Sequence, residues 1–329
     1  MQFGSVALKD ALGAVLAHSH EVPGGRLRKG RALATGDIEA LHSAGVTEVI
    51  VARLEQGDLG EDGAAARIAA ALVPKPEAAH VRLTGASTGR VNIYANGPGV
   101  LDLDADRIEA ANRIDPLITL ASLPPFARTR ERGMVATVKI IAYGVAEANV
   151  DRVCAALAGA LRVRPVRLRT ATLILTDFGA GPGKGEKAMD GRLEALGMAL
   201  AETRVVAHET PALAEAIGKA TGDLILILTA SATSDPSDVG PEALRAVGGE
   251  VTRFGMPVDP GNLLFLGSLG KRPVIGLPGC ARSPALNGAD WVLERVACGV
   301  EIKDTDFAAM GVGGLLKEGP SRPHPREKQ

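Results

Sequence analysis

The sequence is poor in the features that mark several common classes of protein. Its three cysteines, Cys154, Cys280 and Cys298, are odd in number and far apart. That excludes a disulfide framework and a Cys-x-x-Cys zinc site, and reduced thiols are expected. No run reaches about 18 consecutive apolar residues, the length that crosses a bilayer. The N-terminus, MQFGSVALKD, lacks the basic stretch and apolar core of a secretion signal, so a cytoplasmic chain that is not bound to a membrane is expected. A formal net charge of −1 argues against the clustered Lys and Arg of a nucleic-acid surface. The six histidines are scattered and supply neither a His-x-x-x-His pair nor a Ser-His-Asp set.

What is present is a long, apolar chain. At 329 residues and 46% hydrophobic it has room for two or three domains and a large core. The pattern predicts a small α+β unit over 1–78, a β-rich α+β unit over 79–165, an α/β domain over 166–303 and a disordered tail over 304–329. The tail ends in EGPSRPHPREKQ, charged and with three prolines. Near the N-terminus, Leu8, Leu12, Val15 and Leu16 fall at helical spacing. A second helix opens near Thr35 or Asp37 and ends at Gly45, before a strand over 47–52. The basic cluster Arg26, Arg28, Lys29 and Arg31 is either a solvated loop or a patch for anionic groups. Asp58, Glu61 and Asp62 read as an acidic helix start. Asn96-Gly97-Pro98-Gly99 predicts a hairpin turn, and Asp104 or Asp106 a helix cap. Lys139 sits in a strand, on the face opposite Val138 and Ile140.

From residue 170 the chain alternates strand and helix. Strands are expected over 171–176, 204–208 and 224–228, with helices over 186–201 and 211–220, the signature of a parallel sheet covered on both faces. The first of its loops, TDFGAGPGKGEK, fits neither a Walker A motif nor a dinucleotide fingerprint. It can still be an anion-holding turn at a helix start, with Lys184 or Lys187 adding charge, or simply a flexible turn. Asp235 and Asp238 suit helix capping or, alternatively, Mg²⁺ ligation by hard oxygens. Cys280 is either a small packed thiol or one close to a ligand.

Three further segments, ILILTASATSDPSDVG, GMPVDPGN and PVIGLPGCARSP, each place a turn rich in small, hydroxylated or Pro-Gly residues beside an apolar strand. Their order resembles the molybdopterin-binding domain of molybdenum-cofactor biosynthesis proteins, including molybdenum insertases. It also resembles the corresponding part of bacterial chains fused to a cofactor nucleotidyltransferase. The resemblance covers about the last half of the chain well and the first seventy residues more faintly. It implies a mostly parallel, three-layer α/β C-terminal domain behind smaller α+β and β-rich units. It further implies binding of molybdopterin or a molybdenum-cofactor form by Thr176, Asp177, Lys184, Lys187, Thr229, Ala230, Ser231, Ala232 and Thr233. Asp259, Pro260, Gly261, Asn262, Pro278, Gly279, Cys280 and Ser283 would complete the set, with Asp235 and Asp238 as catalytic or Mg²⁺-holding residues. The implied partners are a separate nucleotidyltransferase or a molybdoenzyme, and the implied assembly is a dimer or trimer. Three departures from the family pattern favour pterin binding over molybdate insertion. Ala230, Ser231 and Ala232 replace a glycine pair, Asp259 replaces a lysine, and Cys280-Ala281 follows the second Pro-Gly. The alternatives are an active insertase or adenylyltransferase and a non-catalytic cofactor carrier.

Overall fold

A computed structural model describes residues 1–181 and 183–316. The chain divides into two compact units, one of residues 1–97 and 101–163, the other of 98–100 and 164 onward.

The second unit is built on a six-stranded sheet. Its order is Ala199–Ala207, Thr170–Asp177, Leu224–Leu228, Arg272–Leu277, Phe265–Leu269 and Glu250–Phe254. The first four strands are parallel and the last two antiparallel additions. The run LILIL explains why this strand is central, because all five residues are buried. Leu224, Leu226 and Leu228 pack with Met189, Leu193 and Val292 on one face. Ile225 and Ile227 pack with Leu213, Ile217 and Leu244 on the other. Helices Glu186–Glu194 and Gly288–Ala297 therefore cover one side, and Thr210–Gly218 and Val239–Ala246 the opposite side. Such double cover is what lets a continuous apolar strand exist, and it is the expected α/β architecture. Gly276 is forced by packing, since a Cβ there would stand 1.9 Å from the Phe265 ring.

Two expectations for this unit change. The helix from Glu186 stops at Glu194 instead of 201, because Gly197 adopts φ +69° and the strand begins at Ala199. Asp304–Ala309, inside the expected tail, forms a short helix whose Phe307, with the following Met310, is buried in the core. Residues 317–329 lie outside the described ones.

The first unit holds two cores. Gln2–Ala7, Val15–Leu16 and Glu48–Arg53 pair as a sheet beside the helix Thr35–Ser43. A larger core joins helices Glu61–Leu72, Ala105–Asn112 and Glu147–Leu157 to an antiparallel sheet. The order in that sheet is Ile118–Ser122, Met134–Ile140, Arg90–Ala95, Val81–Leu83. The helix Glu61–Leu72 packs in this later core. The helical spacing over 8–16 does not produce an α-helix, because so short a segment is not stable alone and the neighbouring backbone pairs with Glu48–Arg53 instead. Nor is there a hairpin at Asn96, since Arg90–Ala95 and Gly99–Leu103 belong to different sheets. Asp104 does cap its helix, accepting the Arg107 N–H at 3.1 Å. Among the described residues no helix is long and apolar enough to cross a membrane.

Candidate functional site

Parallel strands put all their C-terminal ends at one edge of the sheet. The loops after Asp177, Ala207, Leu228 and Leu277 therefore share that edge. The antiparallel pair brings loop 255–264 to it as well, because Phe254 lies opposite Phe265 and Phe265 opposite Gly276. From Thr170–Asp177 the chain goes first to the strand on one side, Ala199–Ala207, and then to the one on the other, Leu224–Leu228. The strand order reverses there, and a crevice outside the carboxyl ends at such a reversal is where open α/β sheets bind ligands.

Loop 178 onward and loop 229–238 leave the adjacent strand ends at this reversal, and hydrogen bonds tie them in place. Thr176 Oγ1 accepts the Ala230 N–H at 2.7 Å and lies 2.8 Å from His208 Nδ1. The Asp177 carboxylate accepts the N–H groups of Ala180 (3.2 Å) and Gly181 (3.0 Å), which curls the glycine-rich loop back on its strand. Thr229 Oγ1 donates to Ser231 O at 2.6 Å and stands 3.3 Å from Thr233 Oγ1. Thr229 and Thr233 are buried, whereas Ala230, Ser231 and Ala232 between them are all exposed. The helix Glu186–Glu194 begins without a side-chain cap, and Lys184 and Lys187 flank its start.

Loop 278–287 is stapled to the same place. Arg282 Nη2 donates to Thr229 O at 2.9 Å, and a Cβ on Gly185 would come 3.4 Å from Arg282 Nη1 and 2.6 Å from Leu228 Cδ2. Ser283 Oγ accepts the Ala285 N–H, and Cys280 is half-buried. By contrast, Asp259–Asn262 is held elsewhere along the edge. Pro260 O accepts the Gly288 N–H at 2.8 Å, and Asp259 exchanges backbone bonds with Gly314 and Leu316. The Asp259–Pro260 peptide is cis.

Asp238 caps the helix Val239–Ala246, and Asp235 closes the turn before it. Asp238 Oδ1 and Oδ2 accept the N–H groups of Val239 (2.7 Å) and Ser234 (3.0 Å), and Asp235 Oδ1 accepts that of Ser237 (2.8 Å). Among the described residues no three His, Cys, Asp or Glu side chains gather as a metal site. Lys139, in the first unit, donates its ammonium to Thr88 O. Nearby, burial pushes the Glu61 carboxyl up, with Lys139 opposing the shift.

Four residues at this edge escaped the sequence reading: Phe178, Arg192, His208 and Arg282. A basic residue inside the quoted segment GCARSP was the available signal for Arg282. The others needed the strand order.

Residues 5–53 match the model of a domain of unknown function, DUF8806. No curated protein matches the sequence. Among solved structures the chain is similar to the molybdopterin biosynthesis MoeA protein of Pyrococcus horikosii, at 12% identity over 91% of this chain and 75% of that one, with a TM-score of 0.33. The molybdopterin biosynthesis enzyme MoaB of Thermus thermophilus shares 21% over 42% of this chain and 100% of its own, TM-score 0.29. A molybdopterin biosynthesis protein from Mycobacterium abscessus shares 16% over 44% and 98%, TM-score 0.27.

Proposed function

We propose that the second unit binds molybdopterin, or a molybdenum-cofactor form, in the crevice between loops 178–185 and 229–238. The observation that supports it most is the bracing at the point of strand reversal. Thr176, Ala230, Thr229 and Arg282 join the loops at the ends of three adjacent strands, and two of those loops are segments that carry the sequence resemblance. A flat, phosphorylated ligand suits this edge. Its ring meets small residues, Ala230, Ser231 and Ala232, and its phosphate meets the uncapped helix start with Lys184 and Lys187. Pro278, Gly279, Cys280 and Ser283 form the adjoining wall, and the turn at Gly261-Asn262 lies farther along the edge.

Binding is favoured over turnover. Both carboxylate oxygens of Asp238 are engaged by backbone amides, so Mg²⁺ would draw most of its ligands from the phosphate and from water, with Asp235 as the remaining acid. On this reading the chain is a cytoplasmic, oligomeric carrier that presents cofactor to a nucleotidyltransferase or a molybdoenzyme. Purification from a host that makes molybdopterin, followed by mass spectrometry of the extracted ligand, tests the binding. A pterin phosphate in stoichiometric amount is expected, and its absence from protein made in such a host refutes the reading. Incubation with ATP and molybdate should give no turnover.

A further inference from the structure

On the flank of the Thr170–Asp177 strand opposite loop 229–238 lies a cavity of about 550 Å³. It runs from the loop start 177–179 to the end of the edge strand and on to Glu209. Its most unusual feature is Phe178. The chain has nine aromatic residues in all, and Phe178, at 71% exposure, is the most exposed of them. Its ring is not loose. It meets the His208 imidazole at 4.7 Å between centroids with planes 64° apart. His208 is in turn fixed through Nδ1 to the Thr176 hydroxyl and through its backbone N–H to Asp177 O at 2.9 Å. An edge-on partner steadies a ring while leaving a face of it open.

We infer that Phe178, steadied by His208, is a stacking platform for a flat bicyclic heteroaromatic ring. Val205 and Val206 add apolar surface to the cavity, and the carboxylate of Glu209 can accept ring N–H groups. The same loop leads within a few residues to the uncapped helix start and Lys184. This chemistry is shared by a phosphorylated pterin and by a purine nucleotide. The inference rests on the proposed pterin reading only for the first of these, and the two sources are separated by experiment.

The test compares wild type, Phe178→Ala and Phe178→Tyr in equilibrium titrations with neopterin monophosphate, AMP and ring-free glycerol phosphate. Thermal unfolding confirms that the surface substitutions leave the fold intact. The platform predicts that Phe178→Ala weakens at least one ring-bearing ligand roughly tenfold or more, the scale on which stacking acts. Phe178→Tyr should retain that affinity, and glycerol phosphate should be unaffected. AMP binding that depends on Phe178 without pterin binding would uphold the platform and sink the pterin reading. Binding of both ring-bearing ligands indifferent to Phe178 would overturn the platform, and pterin binding among them would leave the pterin reading standing. Equal losses for ring-bearing and ring-free phosphates would overturn the platform, because Phe178 would then merely hold the loop.

Discussion

Arg192 and Asp290 form a buried ion pair at the base of the Pro-Gly loop, Nε to Oδ1 at 2.5 Å, with side chains only 7% and 8% exposed. Arg192 also donates to the carbonyls of Ala281, Ser283 and Ala285, and the second oxygen of Asp290 accepts the Asn287 N–H at 2.7 Å. Loop 278–287 is thus shaped by one desolvated charge pair. Removing one partner leaves the other charge buried and unpaired, which costs about 3–5 kcal/mol. Arg192→Met should therefore lower the thermal midpoint steeply. Wild-type stability in a denaturant titration of this variant would show that the pair does not organise the loop.

Gly261 is a second point of close approach. Its φ is +140°, and a Cβ there would stand 2.6 Å from Gly288 N and 2.8 Å from Gly288 Cα. Both obstacles are backbone, so neither can rotate away. Gly261→Ala should destabilise by at least the roughly 1–3 kcal/mol typical of overpacking. The pairing of Pro260 O with the Gly288 N–H should loosen with it, visible as faster amide exchange at Gly288. Unchanged protection there would contradict the contact.

Cys298 is fully buried, and burial pushes its thiol up from an ordinary value of 9.0 to about 12. The folded state then holds the proton at pH values where the unfolded chain has lost it. Stability from this group is complete below about pH 9 and falls as pH rises towards 12. At pH 10, one unit above the unfolded value, the loss is on the order of 1 kcal/mol. Cys298→Ala should flatten the alkaline limb of the stability curve, measured by denaturant titration from pH 8 to 10.5. An identical limb in wild type and variant would remove the thiol as its cause.

The second unit was legible because its signals are local. LILIL announces a strand buried on both faces, and Asp238 announces a cap four residues after Ser234. Asn96-Gly97-Pro98-Gly99 misled because a turn signal specifies a change of direction and not which strands then pair. Arg90–Ala95 finds its partners at 81–83 and 134–140. The same limit hid Phe178 and His208. They are thirty residues apart and meet only because Ala199–Ala207 lies beside Thr170–Asp177. Asp259 shows the limit from the other side, since a residue close in motif order to loops 229–238 and 278–287 is anchored instead to Gly314 and Leu316.

Lys184 and Lys187 flank a helix start that has no side-chain cap. A hydrogen bond to a charged group contributes about 1.5–3 kcal/mol, and exposure with salt screening brings the two lysines together to about 1 kcal/mol. The double alanine variant should bind a phosphorylated pterin several-fold to tenfold more weakly, with a shallower salt dependence. After phosphatase treatment of the ligand, variant and wild type should bind alike. Equal losses with and without the phosphate would assign the lysines to solvent alone.

The central claim is that the loop from Thr229 to Asp238 faces a flat pterin. Ser231 is exposed at its tip, so Ser231→Leu fills the ligand's space without disturbing the core. Calorimetric titration of wild type and Ser231→Leu with purified molybdopterin tests this most directly. The account predicts clear binding by wild type and loss of that binding in a variant with unchanged thermal stability. Equal affinity in the two proteins would contradict it.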